Sequence, residues 1–125
     1  MDTILAVDIG TQSLKAGILD GQLNLLERQQ VPLSIRVSNT NHVEMDGEEI
    51  WSALIRACQG LEQRDRAQAV VFSTLCPSLI PLDGSGNPLH PIILHQDRRS
   101  SAQARWALEA IGEDTFLNIA GNLPV

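Results

Sequence analysis

The apolar positions of the chain switch between two periods. Thr3 to Val7 is a short apolar run rich in branched side chains, Ser13 to Leu19 is a second, and Leu23 to Val31 is a third with looser alternation. Runs of this length and composition read as strands. Asp20-Gly21, between the second and third, is the two-residue signal of a tight hairpin, whose central positions want positive φ. Three antiparallel strands in succession are therefore predicted. From Pro32 to Val43 the pattern lapses into a polar connection. A helix is predicted from Asp46, which can cap it, with Glu49 three residues on able to reach back to the cap's own N–H. Ile50, Ala53, Leu54, Ala57 and Leu61 recur at helical spacing, Trp51 and Cys58 widen that stripe, and Gly60 weakens its last turn.

Beyond a solvated link, RDRAQ, the run AVVFST is continuously apolar, as in a strand buried on both faces. A helix between strands of this kind predicts a crossover unit and an α/β fold. The expected core is a mixed sheet opened by the hairpin pair of residues 3–31, with the Asp46 helix packed on one face. LIPLDGSGNPLHPIIL reads as a hairpin whose loop, Asp83 to Asn87, is rich in turn formers. Pro81, Pro88 and Pro91 restrict its strands to edge or irregular positions. A second helix is predicted from Ser100 or Ser101 to Gly112, turning Ala104, Ala107, Leu108 and Ile111 inward, and EDTFLNIAG predicts one more short helix. The last residues, NLPV, bring no cap, closing strand or polar tail, an ending that looks cut.

Composition narrows the class. A chain of 125 residues, 43% hydrophobic and 19% charged, is globular in character and the size of one domain. A net charge of −6 with no basic stripe argues against a nucleic-acid partner. Acidic proteins bind phosphorylated ligands through a local nest of N–H groups and a metal instead. Cys58 and Cys76 show no metal spacing and are expected to be reduced. No apolar run approaches the roughly 20 residues of a membrane helix. A soluble cytoplasmic protein without membrane partners is the expectation. His42 and His90 are expected to face solvent, and Cys58 to lie in the core.

The turn between the first two strands carries the candidate chemistry. Gly10, Thr11, Gln12 and Ser13 offer consecutive backbone N–H groups and two hydroxyls, all suited to phosphate oxygens. Gly10 allows a close backbone approach. Asp8 beside such phosphates is tolerable with a Mg²⁺ between them, and Lys15 would add a positive charge near the same anion. On spacing alone the turn reads equally as a plain reversal with a capping aspartate and a surface lysine.

The stretch AVDIGTQSLKAGILD resembles the first phosphate-binding motif of the FGGY family of carbohydrate kinases, in the superfamily of actin, hexokinase and the heat-shock ATPases. Three further stretches follow in the family's order and at similar spacing. HVEMDGEEIWSAL resembles the family's acid, then Asp, then Trp-bearing helix. PLDGSGNPLHPIILHQDRRS is similar to its hairpin followed by a Trp-x-Asp-x-Arg loop, and AGNLPV resembles the start of its Thr-Gly-Asn segment. The resemblance spans essentially the whole chain, and the ordered set is far more specific than any one member.

It implies an actin-like (ribonuclease H-like) α/β domain, a mixed sheet with an N-terminal β-meander and flanking helices. Residues 1–125 would form the front part of the N-terminal domain, with ATP and sugar held between two such domains in the complete protein. Asp8 would organise the Mg²⁺ shell. Gly10, Thr11, Gln12, Ser13 and Lys15 would surround the ATP phosphates, Thr11 lying closest to the transferred group. The sugar side departs from the family. Where xylulose-type members carry Met-His and glycerol-type members Arg-Glu, this chain has Cys76 and Pro77, neither a strong donor to a polyol. The loop HQDRRS is another candidate for the sugar or polyol, with His95 where Trp is usual, Gln96 where some members reach the substrate, and Asp97 paired with Arg98 or Arg99. A loop-fixing ion pair is the competing role for Asp97. The family's catalytic base, an aspartate, is expected downstream, so no residue here is carried over as catalytic. The 125 residues alone are expected to be inactive, to bind Mg-ATP in the millimolar range at best, and to be open to homo-oligomerisation through apolar residues near NLPV and along the 104–111 helix. A catalytically idle nucleotide- or partner-binding module of the same fold is the alternative.

Overall fold

The computed structural model describes residues 2–38 and 41–124. Asn39 and Thr40, in the expected polar connection, and Val125, the last residue of NLPV, lie outside them. The first sheet holds β1 (Thr3–Ile9), β2 (Ser13–Asp20), β3 (Leu25–Pro32) and β6 (Ala67–Ser73) in the order β3-β2-β1-β6. β1 runs antiparallel to β2 and parallel to β6, and β2 antiparallel to β3, so the sheet is mixed as expected. Period-2 alternation sends Leu5 and Val7 of β1 and Leu14, Ala16 and Ile18 of β2 into the core. Helix α1 (Gly47–Gln59) packs on β2 and β3. Its Ala53 and Ala57 are fully buried, and their small side chains let the helix lie close to the strands. Leu33, Met45, Leu61 and Leu94 close the core.

The Asp20-Gly21 reversal is not a two-residue turn. The Asp20 carboxylate accepts the N–H groups of Gln22 and Asn24, each at 2.9 Å, and Asn24 Nδ2 at 3.0 Å. The chain thereby closes over five residues, and the positive φ falls on Leu23, at 64°, instead of on Gly21. The pentapeptide Asp83-Gly84-Ser85-Gly86-Asn87 repeats this scheme, its aspartate accepting from Ser85 N, Asn87 N and Asn87 Nδ2 at 2.8–2.9 Å, with φ 87° at Gly86. In both, these hydrogen bonds hold the aspartate carboxyl below its usual range, the Asn side chain contributing most.

The expected polar connection contains structure. β4 (Arg36–Ser38) and β5 (His42–Met45) pair there and join β7 (Ser78–Leu79) and β8 (Ile92–Leu94) in a second, antiparallel sheet of order β4-β5-β8-β7. All three β4 residues are exposed, so no apolar pattern marks the strand. Asp46 caps α1 through Glu48 N at 3.0 Å, but Glu49 accepts from Ser34 N at 3.0 Å and does not reach back to the cap. Trp51 is exposed and lies outside the buried stripe. In β6, Val70, Val71 and Phe72 are each more than half exposed (54%, 53% and 54%). Val70 and Phe72 lie on one face of the sheet and Val71 on the other, so neither face of β6 is buried; among the described residues it is also an edge strand, paired with β1 alone.

The expected solvated link holds a 3₁₀ turn, Arg64–Arg66. Helices α2 (Ser101–Ile111) and α3 (Glu113–Ala120) meet at Gly112, whose φ of 91° suits glycine. Ala104, Ala107 and Leu108 are half-buried, whereas Ile111 is exposed. His42 and His90 are half-buried instead of facing solvent, with His90 Nδ1 2.8 Å from Pro91 O. Both cysteines are free; Cys58 packs against the core, and burial pushes its thiol pKa up. No helix among the described residues is long and apolar enough to cross a membrane.

Candidate functional site

The β1–β2 turn is built tightly. Gly10 N donates to Ser13 O at 3.0 Å, and a Cβ at Gly10 would stand 3.2 Å from that same oxygen, closer than side chains usually sit. The Gly10 amide is therefore engaged in the turn and is not one of the free donors. The amides of Thr11 and Gln12 have no partner among the described residues. Gln12 O accepts Leu33 N at 3.0 Å, which ties the turn to the one buried residue of the segment that follows β3 among the described residues. Gly10 to Ser13 and Lys15 together line a hollow of about 210 Å³. Two free N–H groups, two hydroxyls and an ammonium around it suit an anionic group.

Strand register sets the acid beside this hollow. Asp8 stands opposite Lys15 on β2 and Ser73 on β6, so the three share one face of the sheet. Lys15 Nζ lies 3.4 Å from Asp8 Oδ2, and both side chains are about half exposed. Pairs this wet add little to stability, so packing does not explain the arrangement. All three border a second hollow of about 430 Å³, floored by the open sheet face at Ala6, Gly17 and Val71.

A third hollow, of about 130 Å³, is lined by Thr11 together with Cys76, Pro77, His95 and Gln96. Residues far apart in sequence thus meet at the β1–β2 turn. The Cys76–Pro77 peptide is cis. Leu75 and Ser78, which the sequence reading did not single out, also line this hollow, and no spacing signal pointed to them.

Asp97 is placed differently. It is buried and borders a neighbouring groove of about 380 Å³, not the hollow of Thr11. Its carboxylate accepts Val43 N at 2.7 Å, Arg99 N at 2.9 Å, Arg99 Nε at 2.9 Å and Arg99 Nη2 at 2.8 Å. The pair forms with Arg99, while Arg98 Nη1 donates to the carbonyls of His95 and Asp97. The Arg99 guanidinium holds the Asp97 carboxyl far below the usual carboxylate range despite the opposing effect of burial. Arg99 also donates to Glu44 on β5, lowering that carboxyl too, and is itself held firmly protonated by both acids. Glu44 and Arg99 lie 55 residues apart, and no local motif links them.

Residues 3–124 match the FGGY family of carbohydrate kinases, N-terminal domain. The chain is 30% identical to a xylulose kinase of Lactococcus lactis, over 98% of the chain and 25% of that protein. It superposes on the crystal structure of a xyloylose kinase from Brucella ovis with a TM-score of 0.85 at 25% identity, covering 97% of the chain and 26% of that structure. The crystal structure of Plasmodium falciparum glycerol kinase with ADP gives a TM-score of 0.83 at 21% identity, covering 98% and 26%. The chain therefore spans about a quarter of the length of the curated relatives it matches. With the mixed sheet and the ordered motifs in agreement with these matches, the chain belongs to the FGGY family of carbohydrate kinases.

Proposed function

We propose that residues 1–125 are the front part of the N-terminal domain of an ATP-dependent kinase that phosphorylates a hydroxyl of a sugar or polyol. The observation that carries this reading is the double position of Thr11. It borders both the anion-suited hollow of the β1–β2 turn and the hollow lined by Cys76, Pro77 and Gln96. Donor phosphate and acceptor hydroxyl would meet there. The likeness to a glycerol kinase crystallised with ADP supports a nucleotide as the donor.

In this reading the Thr11 and Gln12 amides and the Thr11 and Ser13 hydroxyls donate to phosphate oxygens, and Lys15 balances their charge. Catalysis by such groups is mostly positioning and electrostatic stabilisation of the transferring phosphoryl group. Asp8 would hold Mg²⁺. Among the described residues no three His, Cys, Asp or Glu cluster around a point, so there is no dedicated metal cage. One accessible carboxylate beside a phosphate hollow fits a cation that is bound through one or two carboxylates, waters and substrate phosphates. When bound, that ion supplies charge neutralisation at the phosphoryl oxygens.

On the acceptor side, Pro77 lacks a donor, Cys76 is a weak one, and the Ser78 hydroxyl already donates to Leu75 O, which leaves Gln96 and His95, beside Thr11, as the polar side chains for the acceptor. Asp97 acts by fixing the loop that carries them. The catalytic base and the adenine site belong to the remainder of the kinase. The lack of a strong donor at Cys76 and Pro77 also favours a second reading, a nucleotide- or partner-binding module that has lost phosphotransfer.

The test is phosphoryl transfer from Mg-ATP by the full-length protein across glycerol, xylulose, ribitol and gluconate. The kinase reading expects sustained, acceptor-dependent turnover, and Mg-ATP binding without turnover on any acceptor favours the idle module. Residues 1–125 alone should show no turnover and at most millimolar affinity for Mg-ATP, about −4 kcal/mol. Micromolar binding by this piece would overturn the division of labour proposed here. Exposed Trp106, Ile111 and Ile119 on α2 and α3 make that piece prone to self-association.

A further inference from the structure

The segment between β8 and α2 is anchored on both sides of an exposed tip. Leu94 and Asp97 are buried, while His95 and Gln96 between them are exposed and line the hollow shared with Thr11. The anchoring comes from the second sheet. Val43 N donates to Asp97 Oδ2, Glu44 accepts from Arg99, and Arg98 N donates to Asn41 O at 2.7 Å. Asp97 N in turn donates to Leu94 O at 3.0 Å, closing the short turn across the tip. Arg99 is the centre of the arrangement. Its planar guanidinium spans Glu44 of β5 and Asp97 of the loop, which a lysine, with a single charged nitrogen, cannot do in the same geometry.

We propose that Glu44 and Arg99 are positioning residues for the acceptor: by clamping Asp97 they fix His95 and Gln96 against Thr11, and so set how tightly the sugar or polyol is held. This rests on the kinase reading above. Neither residue lines the hollow of Thr11, so their effect passes through the loop. The phosphate turn hangs on β1, β2 and the Gln12–Leu33 contact, none of which the clamp touches. Acceptor and nucleotide binding should therefore respond differently to its loss.

The experiment compares wild-type full-length protein with Arg99→Lys, Arg99→Ala and Glu44→Gln. For each, KM is measured for Mg-ATP and for whichever of glycerol, xylulose, ribitol and gluconate the wild type turns over fastest, alongside the melting temperature. The expected result is an acceptor KM raised tenfold or more in both Arg99 variants, with Mg-ATP KM within twofold. Glu44→Gln, which keeps the Asp97–Arg99 pair, should give a smaller rise in the same direction. If Arg99→Ala does not fold, Glu44→Gln and Arg99→Lys decide. A folded variant with unchanged acceptor KM, or with both KM values rising together, overturns the positioning role and leaves the kinase reading standing. A wild type with no turnover on any acceptor overturns the kinase reading and this inference with it.

Discussion

Leu14 and Lys15 are adjacent on β2 and are predicted to respond to truncation in opposite ways. Leu14 is fully buried and pairs with Ile9 and Val31, so it anchors the strand one residue beyond the β1–β2 turn. Leu14→Ala removes three carbons, about 2.4 kcal/mol at roughly 0.8 kcal/mol per buried CH₂. The cavity left behind adds to this, and buried Leu→Ala substitutions cost about 2–5 kcal/mol in all. A loss of about 3 kcal/mol is expected, lowering Tm by roughly 10 °C at about 3–4 °C per kcal/mol for a domain of this size. Lys15 is 44% exposed and points to the opposite face, so Lys15→Ala should change stability by at most about 0.5 kcal/mol. It should nevertheless weaken Mg-ATP binding. Guanidinium unfolding of both variants, paired with Mg-ATP titration, measures the contrast. A Leu14→Ala loss below about 1 kcal/mol, or a Lys15→Ala loss as large as that of Leu14→Ala, would refute the assignment of inward anchor and outward ligand.

Three further outcomes follow from particular contacts. Leu23→Gly should raise stability by up to about 1 kcal/mol in a thermal melt, because a Leu at φ 64° is strained and glycine is not. Asp97 has a folded-state pKa held below its ordinary value, so it stabilises the fold at neutral pH; this contribution fades as the pH falls below about 4 and the unfolded state binds the proton first. Asp97→Asn should therefore flatten the acid limb of a stability–pH profile between about pH 5 and pH 2. At neutral pH iodoacetamide should alkylate exposed Cys76 well before Cys58, whose thiol is pushed up by burial, and Mg-ATP with a bound acceptor should slow Cys76 selectively when followed by peptide mass mapping.

What could be read from sequence alone was mostly local. The three-strand meander, the α1 stripe at Ala53 and Ala57 and the turn at Gly10–Ser13 each rest on neighbours in the chain, and each stands in the structure. What escaped depends on distant partners or on their absence. AVVFST reads as buried on both faces because its composition is apolar, yet Val70 and Phe72 on one face and Val71 on the other are all exposed among the described residues. β4 has no apolar residue in the core, so only its pairing with β5 reveals it. Asp20-Gly21 carries a two-residue signal, but Asn24 competes for the Asp20 carboxylate and lengthens the turn. In the site, the composition of the turn was legible; the meeting of Thr11 with Cys76 and Gln96, and the Glu44–Arg99 bridge, needed three-dimensional closure.

The central claim is that the β1–β2 turn and Asp8 hold the phosphoryl end of a kinase site. Its most direct test is the turnover of full-length Asp8→Ala at saturating Mg²⁺, Mg-ATP and acceptor, compared with wild type. Asp8 is half exposed on the open sheet face, so the variant should keep its fold and its melting temperature. Loss of the carboxylate that positions the metal should lower turnover by about two to three orders of magnitude or more. A folded Asp8→Ala protein with near-normal turnover would contradict the claim.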